Sequence, residues 1–559
     1  MKKEFLYSSL VIALLSFISV IGLFLHPGVP ETFDARAHIT SIAQFSTALS
    51  QGNLPVVWLG NVANYGAPAG LYVQQLPIYV GGLINIVLNN PYISYVTVLF
   101  LSILLSGVIF YKFLRLYVGE LPSILGVVLL TFAPFRIIDI YVRGDLPEVF
   151  SSIFLPLILL CLYYFVQTKQ KLAFFGLVLS ITGLILSHPL AFVIYSFIFI
   201  PYFFFLLYEK FHTIRFLWNK EGVIYIIYFL LALALALGIS SYYVIPLSVE
   251  VKKYLLYFKL PTHFDKNQIF GWQNFFSPFW DRNTSQLITV GSIEMIGFIF
   301  FLLYEGYKFR TKKFSIGLAE FLVCVSVLYI FFLTKFSYFI YEHTALGEIQ
   351  YAWRMLVGFI FLPAILFAAI AERFKKKWII ILFIIFLCLI RLPQLSGKNF
   401  TTHPNSYYDF TSFNVYAPYL NTIWIEKPES YPRKPDKGEI LENGNGMIVS
   451  SKVENLKRTY VIDAKERLHM IDYTFYFPGW NVYIDNKLTE IEFQNSLYRG
   501  VITYYVPQGK HVVNVVFEDT LVRKAGKIIS VISIILFILL VLLRKKLPWV
   551  AVNLAKRRK

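Results

Sequence analysis

The sequence is dominated by apolar runs of about 15 to 25 residues, separated by short polar connections. An α-helix of that length crosses the hydrocarbon core of a bilayer. Candidate spans lie near residues 5–25, 93–111, 121–138, 149–167, 172–187, 189–207, 222–247, 292–307, 315–334, 353–371, 377–391 and 527–543. These runs predict an α-helical polytopic membrane protein with about twelve transmembrane helices.

The composition supports a membrane protein and argues against a nucleic-acid partner. Hydrophobic residues make up 57% of the chain and charged residues only 15%, whereas soluble proteins are about a quarter charged. The net charge of +18 would suit a nucleic-acid-binding protein, but the lysines and arginines cluster in short loops between the apolar runs. All three cysteines lie in apolar runs, so neither a disulfide framework nor a thiolate metal site is expected.

Alternate connections between the runs are basic. The basic connections hold Lys2/Lys3, Lys112/Arg115, Lys169/Lys171, Lys210/Arg215/Lys220, Lys308/Arg310/Lys312/Lys313, Arg373/Lys375/Lys376/Lys377 and the tail from Arg544 to Lys559. Because short basic loops stay in the cytoplasm, both termini are expected there and the long connections outside. The first run has no cleavage pattern after it and is expected to be a retained helix.

The polar segment near the C-terminus changes from helical to alternating periodicity. Short runs such as 482–484, 501–506 and 512–517 are separated by turn residues, which predicts strands. We expect three parts: a transmembrane domain over 1–391 with extracytoplasmic loops, an extracytoplasmic domain over 392–526, and a final helix with a basic cytoplasmic tail over 527–559. The middle part is predicted to be irregular at first and then a small all-β sandwich.

The first long connection begins with a carboxylate and a histidine at helical spacing. Asp34 and His38 are four residues apart and would share one face of a helix. A carboxylate at the mouth of the membrane suits a general base that deprotonates an acceptor hydroxyl. Together with His38 it could also hold a divalent metal such as Mg²⁺ or Mn²⁺. The alternative is that Asp34 caps the helix and His38 is solvated.

Further charged residues lie at the same predicted membrane boundary. Five of them are Arg136, Asp139, Arg143, Asp145 and Glu148. Such groups are costly there unless they are paired or face water, so they either bind phosphate through arginine or neutralise one another. His188 separates two apolar runs and either faces a cavity or satisfies a tight turn. Arg354 precedes a span on the face where arginine is less expected, which favours phosphate binding over a simple interfacial anchor.

Taken in order, these pieces resemble a known family. They are the Asp34 loop, the turn Asn64–Tyr72, Arg143–Glu148, Ser187-His188-Pro189, Gln350–Arg354, and the strand turn Pro478-Gly479-Trp480 to Asp485 with its partner Val506–His511. This arrangement resembles the YfhO-like and 6-pyruvoyl-tetrahydropterin-synthase-related membrane proteins of bacteria and archaea, in the GT-C class of glycosyltransferases. Relatives usually have proline before the tryptophan where Ala352 stands, which puts the local kink in doubt.

The resemblance implies a reaction and roles for these residues. It implies transfer of a sugar from a polyprenyl-phosphate donor to an envelope glycan, lipid or protein, on the extracytoplasmic face of a prokaryotic cell membrane. By that analogy Asp34 is the base or a metal ligand, and Arg143 and Arg354 bind the donor phosphate. The remaining substrate-binding residues are expected to be His38, Asp145, Glu148 and His188. The sequence contains no dinucleotide-binding or Walker motif.

Two other functions remain open at the level of sequence. A transporter or flippase of lipid-linked sugars would carry ionisable residues near the middle of its spans, whereas here the charges lie at span ends. A non-catalytic scaffold would use the β domain to bind an envelope polymer and would not need Asp34.

Overall fold

The computed structural model describes most of the chain, with several gaps. The described residues are 2–60, 64–256, 264–277, 288–311, 317–409, 422–426, 431–432, 436–441 and 444–545. The predicted basic loop at Lys312 and Lys313 and the basic tail over 546–559 lie outside these residues. Much of the predicted irregular segment over 392–446 also lies outside them.

The part that precedes the β domain is helical, as the apolar runs predict. Its helices are α1 (Lys2–Val20), α2 (Ala35–Ser50), α3 (Gln75–Leu88), α4 (Pro91–Leu114), α5 (Glu120–Thr131), α6 (Pro134–Ile138), α7 (Leu146–Ser151), α8 (Phe154–Gln167), α9 (Lys171–Ser187), α10 (Pro189–Phe211), α11 (Lys220–Ile239), α12 (Ser241–Pro246), α13 (Lys252–Tyr254), α14 (Trp272–Phe276), α15 (Ser292–Arg310), α16 (Leu318–Leu333), α17 (Tyr338–His343), α18 (Leu356–Phe359), α19 (Phe361–Ala371), α20 (Lys377–Arg391) and α21 (Ser406–Asp409). One more helix, α22 (Leu521–Leu542), follows the β domain.

The described residues do not confirm the number of membrane spans that the sequence predicts. Among the described residues, eight helical segments are long and apolar enough to cross a bilayer, and ten if each of two bent pairs is one span. The predicted count of twelve is not confirmed. The run near 172–187 forms α9, one of the shorter apolar helices, which at 17 residues is at the lower limit for a span.

One of the bent pairs carries charged residues of interest. α5 and the segment Pro134–Arg143 meet at an angle of 44°. Pro134 starts the second helix, where its missing N–H costs no hydrogen bond. The second helix then widens into a π-helical turn over Asp139–Arg143. Such turns change which side chains share a face, and here the turn ends at Gly144, whose φ is +67°.

The C-terminal part forms the predicted antiparallel β domain. Its strands are β1 (Gly438–Ile440), β2 (Gly446–Val453), β3 (Lys457–Ala464), β4 (Leu468–Phe475), β5 (Trp480–Ile484), β6 (Lys487–Thr489), β7 (Val501–Val506) and β8 (Gly509–Phe517). They make one sheet in the order β1-β4-β7 and another in the order β2-β3-β8-β5-β6. Buried residues alternate along β3 and fill all of β4, because β3 has one solvated face and β4 has none.

The first long connection packs against this β domain rather than standing apart from it. Tyr65 stacks on Phe475 with ring centroids 4.8 Å apart, and its carbonyl oxygen accepts a hydrogen bond from the Phe475 N–H at 3.1 Å. Trp58 contacts Trp480 edge to face at 5.2 Å. The aromatic contacts fix the position of the β domain over the connection between α2 and α3.

The motifs of the β domain have structural roles. The Asp485 carboxylate lies 2.6 Å from His511 Nδ1 and accepts the Val512 N–H at 2.9 Å, which locks the β5–β6 turn onto β8. The carbonyl of Pro478 accepts a hydrogen bond from Arg523 of α22. Arg523 also pairs with the buried Glu250 at 3.0 Å. The strand turn therefore ties the β domain to the last helix.

Candidate active site at one end of the helical bundle

Two segments far apart in sequence are joined at one end of the bundle. The N–H groups of Phe33 and Asp34 donate to the carbonyl oxygens of Val142 and Arg143 at 3.1 and 2.7 Å. Gly144 lies so close to the start of α2 that an added Cβ would be 2.6 Å from the Ala35 Cβ. The first predicted site segment is therefore docked on the second by its backbone.

Asp34 occupies the N-cap position of α2, but its side chain does not cap the helix. The carboxylate makes no capping hydrogen bond, and the Thr32 hydroxyl accepts the Ala35 N–H instead at 3.2 Å. Burial and the nearby Asp145 carboxylate raise the pKa of Asp34 to about 6, against the opposing charges of Arg143 and Arg354. The geometry thus leaves a half-buried carboxylate that can exchange a proton near neutral pH.

Arg143 is surrounded by carboxylates. Its guanidinium lies 2.6 Å from Asp139, 2.6 Å from Asp145 and 2.7 Å from Glu148, and its Cζ lies 4.7 Å from the centre of the Trp353 ring. Asp139 and Arg143 are four residues apart and therefore lie on one side of this helical turn. All of these charged groups are buried. This arrangement has the geometry of a neutralised salt-bridge cluster, one of the two alternatives open from sequence.

Asp145 holds this cluster in place from the next helix. It is the N-cap of α7 and accepts the Glu148 N–H at 3.0 Å. Burial by itself would raise the pKa of Asp145, but the Arg143 guanidinium, together with the hydrogen bond from the Glu148 N–H, outweighs it and lowers the pKa to about 2. Asp145 is therefore a permanent carboxylate at physiological pH and not a proton acceptor.

The two histidines at the site are neutral and differ in their contacts. His188 caps α10, and its Nδ1 accepts the Ala191 N–H at 3.0 Å. Since that nitrogen accepts, the proton of the neutral ring is on Nε2, which makes Nε2 a donor. Burial lowers the pKa of His188 and lowers that of His38 to about 4. The His38 Nε2 lies 4.0 Å from Asp145.

Arg354 is held loosely in comparison with Arg143. Its Nη1 donates to the Ile349 carbonyl at 3.2 Å, and its Cζ lies 5.3 and 5.7 Å from the ring centres of Tyr351 and Trp353. Within the described part of the chain, its buried Nε has no hydrogen-bond acceptor. Ala352 stands where relatives have proline, and the tight helical turn Ala352–Met355 forms without it. Arg354 is thus a cation with unused donors beside Asp34.

All seven predicted site residues lie in this region, and the structure adds others. Trp353 packs beneath Arg143 and also contacts Phe135, with ring centroids 6.2 Å apart. The Tyr95 hydroxyl donates to the Gly144 carbonyl at 3.1 Å, which holds the turn after Arg143. Trp353 could have been assigned from its place beside Arg354. Tyr95 lies inside an apolar run, and nothing in the sequence around it indicates a place at the site.

Three donor groups at the site are close enough to hold a metal ion. Ligand atoms of Asp145, Glu148 and His188 lie within 4.8 Å of one another. Both carboxylates, however, already contact the Arg143 guanidinium, and the Nδ1 of His188 accepts a backbone N–H. The guanidinium thus takes the place that a divalent cation would need. In the arrangement described here the three residues do not fit a metal, and neither Asp34 nor His38 belongs to the group.

Comparison with known proteins gives a family match and distant structural similarity. Residues 71–399 match the model of the 6-pyruvoyl-tetrahydropterin synthase related domain, described as a membrane protein. That match includes Arg143, His188 and Arg354 but begins after Asp34. A comparison with curated protein sequences gives no match.

Two solved structures illustrate the structural similarity. The oligosaccharyltransferase of Archaeoglobus fulgidus is 12% identical with a TM-score of 0.40, over 71% of this chain and 56% of that one. The mycobacterial arabinofuranosyltransferase AftD is 13% identical with a TM-score of 0.44, over 73% of this chain and 28% of that one. This chain thus spans only part of each of those longer proteins.

Proposed function

We propose that this chain, which belongs to the 6-pyruvoyl-tetrahydropterin synthase related family of membrane proteins, is an integral-membrane glycosyltransferase of GT-C type. Its donor is a sugar linked to polyprenyl phosphate, and its acceptor is an extracytoplasmic glycan, lipid or protein of the cell envelope. The observation that carries this proposal is the Asp34 carboxylate, half-buried, uncommitted to capping and with a pKa of about 6, next to the cation Arg354.

In the proposed reaction Asp34 is the general base. It accepts the proton of the acceptor hydroxyl while the hydroxyl oxygen forms a bond to the anomeric carbon of the sugar. The bond between that carbon and the phosphate oxygen breaks, and polyprenyl phosphate leaves with the electron pair. A base is most effective when its pKa is near the working pH, and burial gives Asp34 such a pKa.

Arg354 and His188 are assigned to the donor phosphate. Among the described residues, one guanidinium nitrogen of Arg354 has no acceptor, and guanidinium geometry matches phosphate oxygens. The Nε2–H of His188 is a neutral donor in the same region, since its Nδ1 is used by the helix cap. Both contacts become stronger as negative charge develops on the leaving phosphate, which is what catalysis requires.

Arg143 is assigned to positioning rather than to phosphate binding. Its contacts to three carboxylates hold the Asp139–Glu148 segment in one conformation, and the Arg143 carbonyl binds the Asp34 N–H. In this way the salt-bridge cluster orients the base. His38, one turn along α2 from Asp34, lines the same region. No step of the proposed reaction depends on a divalent metal.

The location of the site is consistent with a donor that arrives from the bilayer. In the proposed topology the site residues, at the ends of helices, lie on the same side as the β domain and opposite the basic loops. In the proposed topology both termini are cytoplasmic, and this side faces the outside. A lipid-linked donor can then enter sideways from the membrane, and a polar acceptor can enter from the aqueous side.

The experiment that tests the function separates transfer from transport. Purified protein in liposomes is supplied with a radiolabelled polyprenyl-phosphate sugar and a mixture of envelope acceptors. We expect label to move from the lipid to the acceptor, with release of polyprenyl phosphate. Movement of the intact donor between leaflets without bond cleavage would instead establish a flippase. Binding of the acceptor polymer without either process would establish the scaffold alternative.

A further inference from the structure

A small polar pocket lies between α2 and the β domain, away from the Asp34 end of the helix. Its volume is about 110 Å³. One side is formed by Gln44, Thr47, Ala48 and Gln51, which are three and four residues apart and therefore share one face of α2. Since α2 has 16 residues, about 20 Å of helix separates the pocket from Asp34.

The other walls are tied together by hydrogen bonds. Gly60 approaches the turn between β2 and β3 so closely that an added Cβ would lie 2.6 Å from Asn455 Oδ1. The Asn455 amide donates to the Trp58 carbonyl at 2.8 Å. Lys437 donates to the Tyr473 carbonyl at 3.1 Å and to the Gly60 carbonyl at 3.5 Å. The pocket is therefore formed by segments that hold one another in place.

Arg458 of β3 lines this pocket and has hydrogen-bond donors to spare. Its side chain is 1% exposed, and neither Nε nor Nη1 has an acceptor among the described residues. The nearest carboxylate, Asp472, is 3.8 Å from Nε and already accepts hydrogen bonds from the hydroxyls of Tyr460 and Thr474. The guanidinium also packs on Trp480, 4.4 Å from the ring centre. A buried cation with unused donors is costly unless a ligand or water satisfies them.

The charges around the pocket favour an anion. Arg458 is a buried cation on its lining, and burial together with the Arg458 charge lowers the pKa of Lys437 to about 7, so a bound anion would favour the charged form of Lys437. Among the described residues, the acid on the lining is Glu454, which is exposed and lies 2.6 Å from Lys452. Glu454 is therefore neutralised by its neighbour and does not replace the missing partner of Arg458.

We propose that this pocket binds a single anionic group, a carboxylate or a phosphate, of a ligand on the face that carries Asp34. Arg458 donates to the anion, and Thr47 and Gln51 at the open side contact the group that carries it. The volume accommodates a few water-sized groups, which suits one acidic substituent and not a whole oligosaccharide. This site goes beyond the proposed transfer reaction and does not depend on it.

The test uses full-length protein in nanodiscs and isothermal titration calorimetry. The Arg354→Gln substitution is included in every protein, so that anion binding at the candidate active site is removed from all of them equally. The probes are inorganic phosphate and glucuronate, with uncharged glucose as the third. We expect one or both anions to bind with one-to-one stoichiometry and glucose not to bind, and the two anion arms distinguish phosphate from carboxylate ligands.

Two charge substitutions at adjacent positions of α2 identify the site. Gln51→Glu places a carboxylate on the open side of the pocket, and Ser50→Glu places the same charge on an exposed neighbour that does not line it. Because like charges repel at short distance, Gln51→Glu should weaken anion binding by about tenfold or more, and Ser50→Glu by less than about twofold. Equal effects of the two substitutions, equal binding of glucose, or no anion binding at all would overturn the proposal.

Discussion

The two arginines nearest Asp34 are held in different ways. Arg143 contacts three carboxylates at 2.6–2.7 Å. Arg354 instead donates to one carbonyl oxygen and packs on two aromatic rings, and among the described residues its Nε has no acceptor. Both guanidinium groups lie close enough to lower the pKa of Asp34. Charge and position alone therefore do not separate their roles, but the number of acceptors does. The N–H donors of Arg143 contact carboxylates of the protein itself, whereas donors of Arg354 remain available to bind a ligand.

The same contrast applies to the carboxylates. Asp145 caps a helix and pairs with Arg143, and these contacts keep it ionised. Asp34 sits at the start of a helix but caps nothing, and burial raises its pKa to about 6. Groups with satisfied partners stabilise the fold, and groups without them are available for chemistry.

The largest effect, a loss of stability, is expected from breaking the salt-bridge cluster around Arg143. Arg143→Gln leaves three buried carboxylates without their cation, and removing one partner of a buried ion pair costs about 3–5 kcal/mol. We expect a large fall in the thermal unfolding temperature in detergent and loss of protein from the membrane. If Arg143→Gln unfolds at the wild-type temperature, Arg143 does not hold the site together.

Arg354→Gln is expected to affect function and not folding. A hydrogen bond to a charged group is worth about 1.5–3 kcal/mol, so kcat/KM for the lipid-linked donor should fall by about 10- to 150-fold. The unfolding temperature should change little, because Arg354 makes one weak hydrogen bond. Arg36→Gln is the matched control, since Arg36 is an exposed arginine on α2 that packs on Tyr407. Equal losses in both variants would remove Arg354 from the phosphate site.

The pH dependence of transfer should follow Asp34. Because Asp34 acts as a base in its ionised form, kcat/KM should be constant above its pKa and fall by about tenfold per unit below pH 6. Arg354 lowers the pKa of Asp34, so Arg354→Gln should move the midpoint to higher pH, and Arg36→Gln should leave it in place. A midpoint unchanged by Arg354→Gln would show that the two groups are not coupled.

The smallest effect is expected from removal of divalent metal. The carboxylates of Asp145 and Glu148 are occupied by Arg143, so EDTA treatment followed by desalting should leave the transfer rate unchanged. The measurement is the initial rate with and without added Mg²⁺ or Mn²⁺. A rate that depends on added metal would show that Arg143 is displaced during the reaction, and the contrast between the two arginines would need revision.

The helical part of the fold and the members of the site could be predicted from the sequence for one reason. Charged groups in the hydrocarbon core of a membrane cost free energy, and so do apolar runs exposed to water. The positions of apolar runs and charges in the sequence therefore indicate where the membrane boundaries lie. Asp34, Arg143 and Arg354 stand out as charges at span ends. The strands of the β domain were visible from alternation between turn residues, as in β8.

The roles of the two arginines could not be predicted in the same way. They depend on the acceptors that each guanidinium meets in the folded protein, because Asp145 and Glu148 reach Arg143, whereas Arg354 meets the Ile349 carbonyl. The order of charges in the sequence does not show which arginine the carboxylates surround. The tautomer of His188 likewise depends on the hydrogen bond to the Ala191 N–H. The predicted span at α9 is not confirmed, because run length alone does not distinguish a short apolar helix from a full span.

The Asp34 side chain is proposed to act as a base and to have no structural role, and one measurement tests this directly. Transfer from a polyprenyl-phosphate sugar is compared in liposomes for wild type, Asp34→Asn and Glu31→Gln, with the unfolding temperature measured for each. Glu31 is the control because it is an exposed acid of the same connection, whose carboxylate accepts a hydrogen bond from the Asn399 amide. We predict that Asp34→Asn lowers the rate by about 10²- to 10⁴-fold with an unchanged unfolding temperature, and that Glu31→Gln changes neither. Normal transfer by a well-folded Asp34→Asn protein would contradict the account.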